Sequence, residues 1–304
     1  MGDIAFGSFS YDGLMATMHR LPARDLSPAL MGLDRIVSSL YGALETGIVQ
    51  KKAPRSSSLV MTVGEPRAGS FELAWITQTA PGLLPLLPDF TGAIQSNLIE
   101  HFINYVMLWF GGRRREADKI MDKMLDLLAA ERERAHEDRQ RERDAVYADM
   151  RHQREHMRQL LHDQALALHG AAKLAVAPIG KSASTFAARA RGDSPVVDEA
   201  TADAIRAKED LEVSDILDMT FRIEGIRDQR RVLFVFDPED AEGERILPAI
   251  IGDPEFERPG NVYKRAYAES LPITLTGKTT RIIDGPIKTF HAISAQIVTG
   301  TPEA

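Results

Sequence analysis

The chain contains no cysteine in its 304 residues. Disulfide frameworks, thiolate metal sites and cysteine nucleophiles are excluded with it, and a reducing compartment suits the composition. It also lacks an excess of positive charge. The formal net charge is -7, which argues against whole-protein attraction to nucleic acid and leaves room only for a local basic patch. Met1-Gly2-Asp3-Ile4 has neither the basic nor the apolar region of a signal peptide, and Phe6 does not fit the myristoylation pattern. The expected location is therefore cytoplasmic. Neither a G-x-S-x-G elbow nor an internal repeat at solenoid spacing is present.

Long apolar runs are missing too. The most apolar stretch, residues 98–110, reads LIEHFINYVMLWF and is followed by Arg113-Arg114-Arg115. It contains Glu100, His101 and Asn104 and falls short of the roughly 20 apolar residues that a membrane span needs. It reads as a buried amphipathic helix, with an interfacial helix anchored by arginine as the alternative.

What the chain does have is length for two domains and a connector, and 44% hydrophobic residues to build their cores. Its most unusual segment is residues 112–172, free of proline and poor in glycine, with a centre over 131–144 that is almost entirely charged. A helix with such a centre has no apolar face there and must stand in solvent, bridge domains or pair with another chain. Ile120, Met124 and Leu127 make a seam in its first part. Met150, Met157, Leu161 and Leu168 make a looser one in its last part. Unbroken, the helix would reach about 90 Å at 1.5 Å per residue. The alternative is a break near residues 131–145 that folds it into an antiparallel hairpin, although neither Gly nor Pro marks one.

Around this segment the pattern predicts α+β architecture. Residues 4–11 and 14–19 flank Asp12-Gly13 and read as a hairpin. Ser27 and Pro28 open a helix whose apolar face is Leu30, Leu33, Ile36, Val37, Leu40 and Leu44, and Gly47 stops it. Residues 59–63 and 71–76 read as strands, with Phe71, Leu73 and Trp75 on one side. Together these make a small ββαββ unit. After Pro178-Ile179-Gly180 the chain is small and polar, with a short helix expected over 197–208, then changes to short β-like runs, with a helix expected over 261–269. The expected layout is an N-terminal α+β domain over 1–112, the charged helix with coiled-coil character over 113–177, a linker over 178–208, a mainly-β domain over 209–298 that forms a partly open barrel, and a tail over 299–304.

Three motifs carry candidate chemistry. His152-Gln153-Arg154-Glu155-His156 matches the inverted zinc-peptidase pattern. The surrounding seam turns both histidines outward, so the match reads as chance. Gly180-Lys181-Ser182 resembles the tail of a P-loop, and residues 232–237 the acidic strand that would accompany it. Ala175 stands where the leading glycine should be, which removes the bend around phosphate. Asp237, Glu239, Asp240, Glu242 and Glu244 cluster without calcium-loop spacing. No catalytic residue, cofactor or metal is expected. Tyr263, Lys264, Arg265, Lys278, Arg281 and Lys288 are the candidate nucleic-acid contacts, because bases stack on aromatics between cations.

Leu21-Pro22-Ala23-Arg24-Asp25-Leu26, Ala68-Gly69-Ser70-Phe71-Glu72 and the stretch from Asp253-Pro254-Glu255-Phe256 through Thr274 to Ile283 resemble a family of uncharacterised bacterial and prophage-encoded proteins. The resemblance implies the two-domain layout and a phage or phage-defence setting. It carries no catalytic residues. The resulting expectation is a non-enzymatic, oligomeric interaction protein whose helix drives self-association or holds the two domains apart, with a second copy or another protein as partner. Nucleic-acid binding through the C-terminal domain is the second reading, and a membrane-acting effector using residues 98–110 the third.

Overall fold

The structure, a computed structural model, describes residues 4–18, 20–50, 60–67, 71–78, 92–136, 143–189, 194–208, 210–240, 242–283 and 285–298. The chain forms two compact units, Met1–Arg206 and Ala207–Ala304.

The first unit is built on four antiparallel strands: β1 (Ile4–Asp12), β2 (Val60–Arg67), β3 (Phe71–Gln78) and β4 (Thr185–Arg189), in the order β2-β3-β1-β4. Alternation sets the buried face. Phe71, Leu73 and Trp75 are buried as expected, opposite Phe9 and Tyr11 of β1. Phe9 stacks on Trp75 with ring centres 5.8 Å apart, and Tyr11 lies 5.1 Å from Phe186 of β4. The N-terminal hairpin does not form. Leu14–Met18 is a 3-10 helix instead. A strand has only two edges, and both edges of β1 are taken by distant strands that bury aromatic rings against it.

Helix α1 (Ala23–Thr46) starts four residues before the expected Ser27 cap. Pro22 is extended and its carbonyl accepts from the Asp25 and Leu26 amides, so the turn closes there. Pro28 falls inside the helix and leaves the Arg24 carbonyl without its usual donor. Gly47 ends the helix as expected: its φ of 67° is left-handed and its amide donates to Ala43 O at 2.8 Å. Helix α2 (Gly92–Phe110) holds the apolar 98–110 stretch, and Leu98, Ile99, Phe102, Ile103, Val106 and Met107 are all buried in the core. Among the described residues no helix is long and apolar enough to cross a membrane.

The charged run is not one helix. It comprises α3 (Arg114–His136), α4 (Arg143–Leu166) and α5 (His169–Ala175). Arg154 pairs with Asp126 at 2.9 Å, and Arg158 pairs with Asp122. Rising numbers on α4 meet falling numbers on α3, so the two helices are antiparallel. The 90 Å strut is thereby replaced by its alternative, a fold-back, with residues 137–142 outside the described part. The energetic reason lies in the seams. Ile120, Met124, Met157, Leu161 and Leu168 are buried in this chain's own core, and Leu127 packs partly buried against it. These candidate self-association side chains are thus covered within the chain itself. The Met150 side chain lies outside the described residues.

The expected linker over 178–208 is also corrected. It supplies β4 and helix α6 (Glu199–Arg206), and Phe186, Ala188, Val197, Ala202 and Ile205 enter the core of the first unit. Small residues resemble a linker in composition, but they also permit close packing.

The second unit is mainly β, as expected. It contains β5 (Leu211–Val213), β6 (Leu217–Phe221), β7 (Ile223–Arg227), β8 (Val232–Phe236), β9 (Ile246–Ile251), helix α7 (Val262–Ala268), β10 (Ile273–Ile282) and β11 (Ile287–Ile297). The order is β5-β10-β11-β9-β8-β7, with β6 also on β10, and β9 with β11 is a parallel pair. Among the described residues no ladder joins β7 to β5, so the sheet does not close into a full barrel. Phe221, Leu233, Val235, Phe290 and the α7 residue Tyr263 share its core. Asn261 caps α7 by accepting from the Lys264 amide at 2.9 Å. The 299–304 tail lies outside the described residues.

Candidate functional site

Two short segments from distant parts of the chain meet in the first unit. One is the entry to α1, where Pro22, Arg24 and Asp25 stand in or before the first turn. The other is a tight turn over 178–184. There the Pro178 carbonyl accepts from the amides of Lys181, Ser182 and Ala183, and the Gly180 amide donates to Ala183 O at 2.8 Å. The turn is fastened to the N-terminal segment by Ala16 N–H to Ser182 O at 3.1 Å and Ser184 N–H to Asp12 O at 2.7 Å. The guanidinium of Arg206 donates to the carbonyls of Val176 and Ile179 and fixes the other side of the turn.

The result is a cavity of about 500 Å³ lined by Met15, Pro22, Arg24, Asp25, Lys181 and Ser182. Its buried polar pair is Asp25, 8% exposed, and Ser182, 1% exposed. Ser182 Oγ donates to Asp25 Oδ2 at 3.0 Å. Among the described residues the other oxygen of Asp25 has no hydrogen-bond donor. Arg24 and Lys181 are exposed beside the cavity, and neither has an ion-pair partner among the described residues. Exposed Met15 and half-buried Pro22 add apolar surface. Two cations, one carboxylate and a short apolar wall are suited to holding an anion that carries carbon.

The sequence motifs fare differently. Gly180-Lys181-Ser182 lies between a helix and the strand β4, whereas a P-loop runs from strand to helix. The acidic strand that would accompany it, β8, belongs to the other unit. Yet Lys181 and Ser182 do face a cavity, opposite the Arg24-Asp25 pair of the family-like motif. His152, Glu155 and His156 are exposed on α4, on the outward face expected for them. Among the described residues no three metal-ligating side chains group together. The acidic cluster builds a turn: Asp237 accepts from Glu239 N–H and pairs with Arg245, and Asp240 Oδ2 accepts from the Glu244 and Arg245 amides. Those amides, the one at Arg245 foremost, hold the Asp240 carboxyl below its ordinary pKa.

The nucleic-acid set is not assembled as expected. Tyr263 is fully buried and donates to Asp253 Oδ2 at 2.8 Å, so its ring cannot stack on a base. Burial, then the Asp253 hydrogen bond and charge, push its phenol up. Lys264 pairs with Asp228 and lies over Phe256, and Arg281 pairs with Glu239. Arg265 and Lys288 are exposed, and Lys278 is half-buried.

Sequence reasoning saw the two segments of the cavity but not their meeting. Asp25 and Ser182 are 157 residues apart. Only the pairing of β4 with β1 carries the 178–184 turn to the start of α1.

A family model described as a domain of unknown function (DUF7946) matches residues 8–206. No curated protein and no solved structure matches the chain. The match ends at Arg206, where the first unit ends, so it contains every residue lining the cavity.

Proposed function

The chain belongs to that family of domains of unknown function, and we propose that its first unit is a non-enzymatic binding domain that holds a small oxyanion between Arg24 and Lys181. The observation that carries this reading is a pair of cations without ion-pair partners among the described residues, beside a cavity of about 500 Å³. The size falls within the roughly 300–1,000 Å³ typical of small-molecule sites. Guanidinium and ammonium groups both donate charge-assisted hydrogen bonds to oxyanions, with the planar fork of arginine setting orientation.

Binding fits the site better than nucleophilic chemistry. Among the described residues Ser182 is the one hydroxyl lining the cavity, and it is buried with its proton directed at Asp25. That geometry orients the carboxylate and commits the hydroxyl proton to it. Self-association through the helix seams is a weaker reading, because it would require opening a core that already covers them.

The experiment is titration calorimetry of the full chain with inorganic phosphate at low ionic strength, beside the Arg24→Gln/Lys181→Gln double variant. Saturable binding that the double variant loses is expected. Equal heats from both proteins would sink the proposal.

A further inference from the structure

We infer that the anion held by Arg24 and Lys181 also carries a hydroxyl donor next to its charge, with Asp25 as the specificity-determining residue. The ligand class is thus a hydroxylated phosphate ester or hydroxylated carboxylate and not a bare inorganic anion. This inference rests on the binding reading above and adds the identity of the ligand to it.

Asp25 is the residue that selects the ligand. Its side chain is more than nine-tenths buried and lines the cavity, and one of its oxygens is already engaged by Ser182. The second oxygen has no donor among the described residues. That oxygen is open to the cavity and not sealed in the core, so a ligand donor can reach it. A ligand hydroxyl in the cavity would supply the missing hydrogen bond.

Charge points the same way. A bare oxyanion between Arg24 and Lys181 also meets the Asp25 carboxylate. At equal distance that repulsion offsets what one of the two cations gains. A hydroxyl placed between the two negative groups replaces part of this repulsion with a hydrogen bond. An ammonium would satisfy Asp25 too, but it would be repelled by both cations. The neutral donor avoids both penalties.

Room and lining agree. The cavity of about 500 Å³ is larger than one oxyanion, and Met15 and Pro22 offer contact to a short carbon skeleton. Ser182 does not donate to the ligand, because its proton is committed to Asp25.

The test uses titration calorimetry on the full chain with inorganic phosphate, glycerol 3-phosphate, acetate and gluconate. At least one hydroxylated probe should bind about ten-fold more tightly than its bare counterpart, the ~1.4 kcal/mol expected of one hydrogen bond to a charged acceptor. The two pairs show whether the oxyanion is a phosphate or a carboxylate. Asp25→Asn should erase that preference while phosphate binds as well or better. Ser182→Ala, which keeps the carboxylate, should retain the preference. If bare and hydroxylated anions bind wild type equally, the inference fails and the binding reading stands. If none of the four binds, both fail. The wild-type ratio decides the matter even if Asp25→Asn does not fold.

Discussion

Tyr11 Oη donates a 2.8 Å hydrogen bond to the Ala175 carbonyl, 164 residues away, and the phenol is fully buried. Ala175 is the last residue of α5, where helix carbonyls have no intrahelical donor. The bond therefore ties the C-terminal end of β1 to the end of α5, next to the turn that builds the cavity. Tyr11→Phe would strand that carbonyl in the core. It should cost about 1–3 kcal/mol in chemical denaturation, and a midpoint unchanged from wild type would show that the bond contributes nothing.

Alkaline pH should unfold the protein through its buried phenols. Burial raises the pKa of Tyr11, and burial followed by the charge of Asp118 raises that of Tyr105. The sign follows from linkage. A neutral phenol is favoured in the folded state, so its stabilising contribution is complete below the unfolded value of about 10 and lost as pH rises toward the folded values. Tyr263 behaves alike in the second unit. Absorbance at a tyrosinate wavelength should therefore rise in two stages, exposed phenols first and buried ones only with loss of circular dichroism. A single smooth titration of all six tyrosines in the folded protein would contradict the burial.

Gly32 marks where α1 crosses α5. A methyl group there would lie 2.5 Å from Ala171 O and 2.6 Å from Ala175 N, both backbone atoms that cannot turn aside. Gly32→Ala gains about 1 kcal/mol of helix propensity, but overpacking against a backbone costs about 1–3 kcal/mol. Net destabilisation is expected. A raised melting temperature would mean that the helices separate easily.

The folded-back pair α3 and α4 separates core from surface. Leu161 has 0% exposure, so Leu161→Ala should cost about 2–5 kcal/mol. Asp126 and the Arg154 that pairs with it are 67% and 44% exposed. Asp126→Ala should change stability by at most about 1 kcal/mol. Light scattering should give the same mass for wild type and for both variants. A stable Leu161→Ala monomer derived from a wild-type oligomer would instead return this seam to an intermolecular role.

Local patterns in the sequence were legible because local physics decides them. Alternation placed Phe71, Leu73 and Trp75 on one buried face, and helical spacing placed the α1 stripe toward the core. Gly47 stopped its helix, α7 formed within the expected 261–269, and His152 and His156 face outward as the neighbouring seam requires. The mainly-β character of the second unit followed from its short apolar runs between turns.

What the sequence determined by itself was thus the set of faces and caps: which residues seek burial and where several elements stop. Tertiary structure decided what each face buries against. Leu14–Met18 yielded its place beside β1 to β3 and β4, the small residues over 178–206 became core instead of linker, and the charged run folded back so that Met124 and Leu161 could share one core. Asp25 and Ser182 met for the same reason. Strand partners and close packing are chosen by competition among segments far apart in the chain, and the cavity exists only where that competition brought two such segments together.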